Sequence, residues 1–345
     1  MDEIKLNVEL LRQRVPNLTV AAATVGLRPA TVSNLCTGKI PLARAEVRTL
    51  VALATLAECS VDELIIRRNE AEMVETGIKV IDLFAPLTRG GTIGFVARPG
   101  MGQLVVLAEI FHRMNLLGYS TVFLKPHEDG PGLMDVINET KHICDTPQDA
   151  FKKITLMSNN NNVFLAADRQ TVITGEIYSL IEKLQESGIS PTTLLVDLRG
   201  DAMDEQEPYG PLDTLWQFDA ELISRKIYPA INANYSTSVL LEGSHLEKNH
   251  MQTQQQARKL LRRYRELRFL GDKMPTTDRM IFNRGIRLEA YFTQPFFVAE
   301  TFTKKQGVSI PLQTTIMEVQ RILKGEFDDI KVESLLFTDR LKECK

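Results

Sequence analysis

Residues 75–110 read ETGIKVIDLFAPLTRGGTIGFVARPGMGQLVVLAEI, and the middle of this stretch sets the architecture of most of the chain. The run GTIGFVA (91–97) is short, apolar and flanked by glycine, which predicts a strand buried on both faces. The runs STVFLK (120–125), KITLMS (153–158), TTLLVD (192–197) and TSVLLEG (237–243) repeat the pattern, with helical stretches between them. Helical crossovers imply parallel strands, so an α/β layer with a central sheet is expected. After residue 246 strand signals stop, and KLLRRYRELRFLG, DRMIFNRGIRLEAYF and PLQTTIMEVQRILKGEF are three helix candidates. Before residue 71, Pro16-Asn17, Gly26, Gly38 and Pro41 divide short segments whose apolar residues recur at three and four. The expected organisation is an all-helical domain over 1–68, an α/β domain over 71–245 and a helical carboxy-terminal domain over 246–345.

Composition bounds the function classes. Lys and Arg number 41 against 44 Asp and Glu, a formal charge of -3, so any nucleic-acid contact must come from a local basic face. No run approaches the roughly 18 to 20 apolar residues of a spanning helix, and the opening MDEIKLNVELLRQR has no apolar leader stretch. A cytoplasmic chain without a membrane span is the expectation. Cys36, Cys59, Cys144 and Cys344 are scattered, with neither a CxxC pair nor histidines at zinc spacing, and read as reduced thiols. The five histidines offer no metal spacing and no nucleophile partner.

Within the first segment, LTVAAATVGLRPATVSNLCTGKIPLARAEV has the spacing of a helix-turn-helix. One short helix ends near Gly26, and a second opens at Leu27-Arg28-Pro29, proline standing where its missing N–H costs little. Val20, Ala21, Ala23, Val25, Leu27, Val32, Leu35, Val47, Leu50, Leu53, Leu56, Val61 and Leu64 are the core candidates. The segment resembles the lambda-repressor/Cro family of DNA-binding domains, through Ala21-Ala22-Ala23, Gly26, the anchors Val32 and Leu35, Thr37-Gly38-Lys39 and Val61-Asp62-Glu63-Leu64. The resemblance implies double-stranded DNA as partner, with Arg28, Thr31, Ser33 and Asn34 facing the major groove and Lys39 on phosphates. Nine Lys/Arg against seven Asp/Glu over 1–68 leaves only +2, so one such domain would bind weakly and gain from homo-oligomerisation. The alternative is a helix-turn-helix kept as a protein-interaction module.

The remainder, 71–345, is similar to the catalytic (beta) subunit of rotary ATP synthases, a P-loop NTPase of the RecA-like type. The resemblance is carried by 75–110, IYPAINANYSTS (227–238), FTQPFFVAETFT (292–303) and PLQTTIMEVQRILKGEFD (311–328). A working phosphate loop combines glycines that let backbone N–H groups reach phosphates, a lysine, and a hydroxyl that holds magnesium. Here Gly100 and Gly102 stand at the glycine positions, but Gln103 occupies the lysine position and Leu104 the hydroxyl position. Neither restores the lost function, because glutamine carries no charge and leucine cannot ligate a hard cation.

By the same resemblance, Glu128 falls on the water-orienting glutamate and Asp197 on the magnesium-associated acid, while Asp129 and Asp201 replace arginines. Arg98 and Lys125 would be substitute cations or solvated charges. Tyr228, Phe296 and Phe302, with Ala299 between them, fall on the aromatic positions around an adenine, or are core. Weak binding of ATP or ADP with little hydrolysis is expected, and magnesium fits poorly. The sequence thus reads as a DNA-binding regulator or scaffold with a degenerate nucleotide domain, assembled as a dimer or ring. The rival readings are an ATPase with an altered phosphate site and a non-catalytic subunit of a rotary complex. A further run sets Arg258, Lys259, Arg262, Arg263, Arg265 and Arg268 against a single Glu266, suited to phosphates, an acidic partner or water.

Overall fold

The computed structural model describes residues 4–15, 18–36, 40, 42–67, 72–126, 130, 132–157, 162–206, 208–242, 245–270, 275 and 278–341. The chain divides into two compact units, 1–71 and 72–345.

The first unit contains strand β1 (Ile4–Leu6), helices α1 (Val8–Arg14), α2 (Leu18–Ala21), α3 (Pro29–Cys36), α4 (Val47–Leu56) and α5 (Val61–Leu64), and strand β2 (Ile65–Arg67). Local chemistry sets the helix ends. The Asn7 side chain accepts the Leu10 N–H at 3.1 Å, and Ser60 and Glu63 cap α5 reciprocally. After α2 a 3-10 turn runs over Ala22–Val25 to Gly26, whose φ of +75° explains the glycine, since a Cβ there would meet nothing within 4 Å. Val32 and Leu35 of α3 pack with Leu11, Ala22, Leu50, Leu53 and Leu64. Two expectations change. Val20, Ala23, Val25 and Val47 lie outside the core, Val47 at 74% exposure because the inward stripe of α4 is Leu50, Leu53 and Ala54. The unit is also not all-helical, since β1 and β2 pair antiparallel, Ile4 opposite Arg67 and Leu6 opposite Ile65.

The second unit opens with a small antiparallel pair, β3 (Met73–Val74) and β4 (Leu87–Thr88), around α6 (Lys79–Phe84). A seven-stranded sheet follows, built from β5 (Thr92–Val96), α7 (Gln103–Leu116), β6 (Ser120–Leu124), α8 (Leu133–Asn138), β7 (His142–Cys144), α9 (Pro147–Thr155), β8 (Val163–Asp168), α10 (Arg169–Ile173), α11 (Glu176–Glu186), β9 (Thr192–Val196), β10 (Thr214–Gln217), α12 (Ala220–Ser224) and β11 (Thr237–Ser238). Its order is β11-β10-β5-β9-β8-β6-β7, parallel except for β10 with β11. Four helices complete the unit: α13 (Lys248–Arg268), α14 (Arg279–Tyr291), α15 (Glu300–Thr303) and α16 (Leu312–Lys324). Among the described residues no helix is long and apolar enough to cross a membrane.

Both sheet faces are covered, which is why the strands read as continuous apolar runs. Phe95, Phe123, Phe164 and Leu194 point to one face, where they share a core with Phe111, Leu261, Leu288, Tyr291 and Val319. Val96, Val122, Leu165 and Leu195 point to the other, against Ile154, Ile177 and Leu180. The helices after 246 therefore share a core with the sheet. KITLMS is corrected: residues 153–155 belong to α9, which Thr146 caps and Pro147 opens, with Ala150 and Ile154 buried at helical spacing. TSVLLEG keeps two strand residues before a 3-10 turn at Val239–Leu241.

Lys79 of α6 is wholly buried. Its ammonium donates to the carbonyls of Tyr291 and Thr338 and sits 4.3 Å from the centre of the Tyr291 ring. Desolvation pushes its pKa down to about 7 from 10.5. Unfolding restores the ordinary value, so between pH of about 7 and 10.5 the unfolded chain holds the extra proton and stability rises with pH. In Lys79→Met, urea denaturation across this window is expected to lose a slope of about 1.4 kcal/mol per pH unit relative to the parent. Parallel curves would place the titration elsewhere.

Candidate functional site

The sheet order makes a crevice where the chain changes direction. From β5 it crosses to β6, returns to β9 beside β5, and then reaches β10 on the other flank. Ligands of open α/β sheets bind outside the carboxyl ends of the strands at such a reversal. The loop Ala97–Gly102 leaves β5 at this point and feeds α7, with Gly100 at φ +83° and Gly102 at φ +85°. A Cβ at either glycine would meet nothing within 4 Å, so the conformation, not crowding, calls for glycine. Gly102 precedes α7 with no side-chain cap, leaving first-turn N–H groups directed toward the loop.

The loop is engaged by its own neighbours. The Arg98 N–H donates to the Met101 thioether at 3.0 Å, and Met101 is buried. Opposite lies Gly200, where a Cβ would approach Pro99 Cδ to 2.4 Å, so the turn after β9 packs against the loop backbone. Gln103 is buried, Leu104 half-buried and Arg98 exposed.

Asp197 follows β9 and is buried, its two oxygens accepting the N–H groups of Arg199 at 2.9 Å and Ala202 at 2.6 Å. Asp168, at the end of β8, accepts from Gln170 at 2.9 Å and Leu198 at 3.3 Å. Burial raises the Asp168 carboxyl above its ordinary range despite these bonds, and the charge of Asp197 adds to the effect. Both acids organise backbone turns. With Leu104 supplying no oxygen, the set fits magnesium poorly, and among the described residues no group of three or more His, Cys, Asp or Glu could hold a metal ion. Asp201 is exposed, and Glu128 and Asp129 lie outside the described residues.

The aromatic positions separate. The Gln294 N–H donates to the Tyr228 carbonyl at 3.0 Å, bringing the two segments together. Tyr228 is 41% exposed and Phe302 82% exposed, whereas Phe296 at 6% belongs to the core, and Ala299 is half-buried. Among the described residues the three rings make no ring-to-ring contact.

A feature that sequence reading missed joins these parts. Glu109 and Arg113 of α7 form a buried ion pair at 2.7 Å. Glu109 also accepts the N–H groups of Phe297 at 3.2 Å and Val298 at 3.1 Å. Arg113 donates to the carbonyls of Thr76, Gly77 and Val308. A Cβ at Gly77 would lie 2.9 Å from the Arg113 guanidinium and 2.0 Å from Ser309 Oγ, so that position admits only glycine. The i, i+4 spacing was the available signal, but on a helix it ordinarily marks a surface pair.

In the first unit, Arg28 and Ser33 are exposed and Thr31 and Asn34 half-buried, while Lys39 lies outside the described residues. The basic run of α13 is largely neutralised. Arg258 donates to the carbonyls of Ser236 and Phe84, Arg263 to Glu266 and Asp278, and Arg265 and Arg268 pair with Asp219 and Glu221.

Glu109→Ala leaves the Arg113 charge buried without its partner and is expected to cost about 3–5 kcal/mol in reversible denaturation. A loss under 1 kcal/mol would mean that the pair is dispensable. No family model matches the chain.

Proposed function

We propose that this protein is a DNA-binding regulator or scaffold whose amino-terminal unit works as a helix-turn-helix, carried with an α/β unit that binds adenine nucleotide weakly and hydrolyses it little or not at all. The observation that carries the reading is the division of α3: Val32 and Leu35 are buried against the rest of the unit, while Arg28, Pro29 and Ala30 remain exposed at its amino-terminal end and Ser33 one turn further along. A recognition helix uses that end to meet base edges, and Thr31, Asn34 and Lys39 complete the surface the reading assigns to DNA.

The second half of the reading rests on the loop. Its glycine conformations and open helix start suit an anionic group, but Gln103 supplies no charge and Leu104 no oxygen for magnesium. Arg98, Gly100 and Gly102 would give the phosphate contacts, and Tyr228 and Phe302 an adenine contact from exposed positions. Loss of two stabilisers of transition-state charge, each worth about 10²–10³ in rate, disfavours turnover. Dimer or ring assembly would join several weak DNA contacts into a stronger one.

Fluorescence anisotropy of a labelled 30-base-pair duplex with the full chain tests the first half. Binding at low salt should weaken linearly with the logarithm of salt concentration, and Arg28→Ala should weaken it about tenfold. Absence of duplex binding at low salt would sink the proposal. For the second half, calorimetry should give ATP and ADP affinities no tighter than micromolar and insensitive to magnesium, with no phosphate release above buffer. Magnesium-dependent binding with turnover would show an active ATPase instead.

A further inference from the structure

Helix α7 opens on a side chain that the fold itself does not use. Gln103, its first residue, is 3% exposed, and its amide makes no hydrogen bond among the described residues. Neither Oε1 nor Nε2 is sealed from solvent, so the amide reaches open space while its stem is packed. Helical side chains lean toward the amino terminus of their helix, which aims this amide over the loop Ala97–Gly102. The N–H groups of Gly102, Gln103, Leu104 and Val105 likewise make no hydrogen bond among the described residues. An unpartnered polar side chain this deeply buried is an exception, and here it stands beside open donors at the start of a 14-residue helix. Donors and helix dipole together call for an anion.

The neighbours of β5 give the crevice a direction. On one flank, β10 pairs Gln217 with Val96, and the segment carrying Tyr228 is fastened to its end: Asp219 donates its N–H to the Ala230 carbonyl at 2.9 Å, and Asn232 to that of Gln217 at 2.8 Å. On the other flank, β9 sets Val196 against Phe95, with Asp168 of β8 opposite Val196, so Asp197 and Asp168 adjoin the loop there. A nucleotide with its base at Tyr228 therefore runs its phosphates across the start of α7 toward two carboxylates. Gln103 and the backbone N–H groups are neutral donors, Arg98 is exposed, and Leu104 gives magnesium no oxygen.

We propose that this site selects a nucleoside diphosphate over the triphosphate, with Gln103 Nε2 donating to the terminal phosphate. The inference rests on the adenine-nucleotide reading above. A diphosphate ends over the loop, where five neutral donors meet it. A third phosphate extends its charge toward Asp197 and Asp168 with neither lysine nor metal to offset the repulsion. A monophosphate leaves the Gln103 amide unanswered, so the middle member of the series is favoured.

The test is calorimetric titration of AMP, ADP and ATP into the full chain, in EDTA and again with magnesium. ADP is expected to bind at least tenfold more tightly than either of the others under both conditions. Gln103→Leu should cost ADP about tenfold while leaving AMP unchanged, a difference that general loosening of the fold would not produce. Gln103→Glu keeps the shape, suits a helix start and should weaken ADP further, which serves if leucine disturbs packing. Equal affinity for ADP and ATP, or ADP binding untouched by both variants, would overturn the proposal and leave the adenine-nucleotide reading standing. No heat with any of the three at millimolar concentration would overturn both.

Discussion

The Glu109–Arg113 pair on α7 is the constraint around which the second unit is assembled. Two charges taken out of water are tolerated only when their remaining hydrogen-bonding capacity is met, and here five backbone groups from three separate segments meet it. Gln294 extends the same knot, donating to the carbonyls of Gly77 and Val308 and accepting the N–H of Lys79. The helix that receives the glycine loop is thereby joined to the start of α6, to the segment carrying Phe296 and Ala299, and to the chain leading into α16. That knot also explains why the helices after residue 246 share a core with the sheet.

Charge elsewhere is handled by the same economy. In α13 the arginines reach carbonyls of Phe84 and Ser236 and carboxylates at Asp219, Glu221 and Asp278, so a run that looks like a polyanion track is mostly internal bonding. Lys153 of α9 donates to the Ile143 carbonyl on the edge strand β7, occupying part of an edge otherwise open to pairing. Asp168 and Asp197 likewise spend their oxygens on the turns that follow their strands. The crevice at the strand ends is consequently poorer in available charge than its acids suggest.

Legibility followed the range of the forces involved. Strands β5, β6 and β9 were readable because burial on both faces forces unbroken apolar runs, and α14 and α16 because a helix packed on one side keeps its periodicity. KITLMS misled because a run of four apolar or β-branched residues is too short to distinguish the two periods, while the cap at Thr146 and Pro147 lay upstream. The β1–β2 pairing joins residues about sixty positions apart, beyond any local pattern. Among candidate site residues, the glycine loop was visible as sequence. The burial of Phe296 beside the exposure of Phe302 was not, since both are simply aromatic residues in one short segment.

The sequence by itself determined the α/β alternation, the glycine turn between α2 and α3, and the absence of a lysine and a hydroxyl at Gln103 and Leu104, just after the glycine loop. These are matters of backbone conformation, periodicity and side-chain chemistry, all of which act within a few residues. Only the tertiary structure decided which charges are spent and which remain, bringing Arg113 to Val308, Arg258 to Phe84, and Arg268 to Glu221. The physical reason is that hydrogen bonds and ion pairs are made in space. Their partners here lie tens to hundreds of residues apart in the chain, and only the packed core sets their distances.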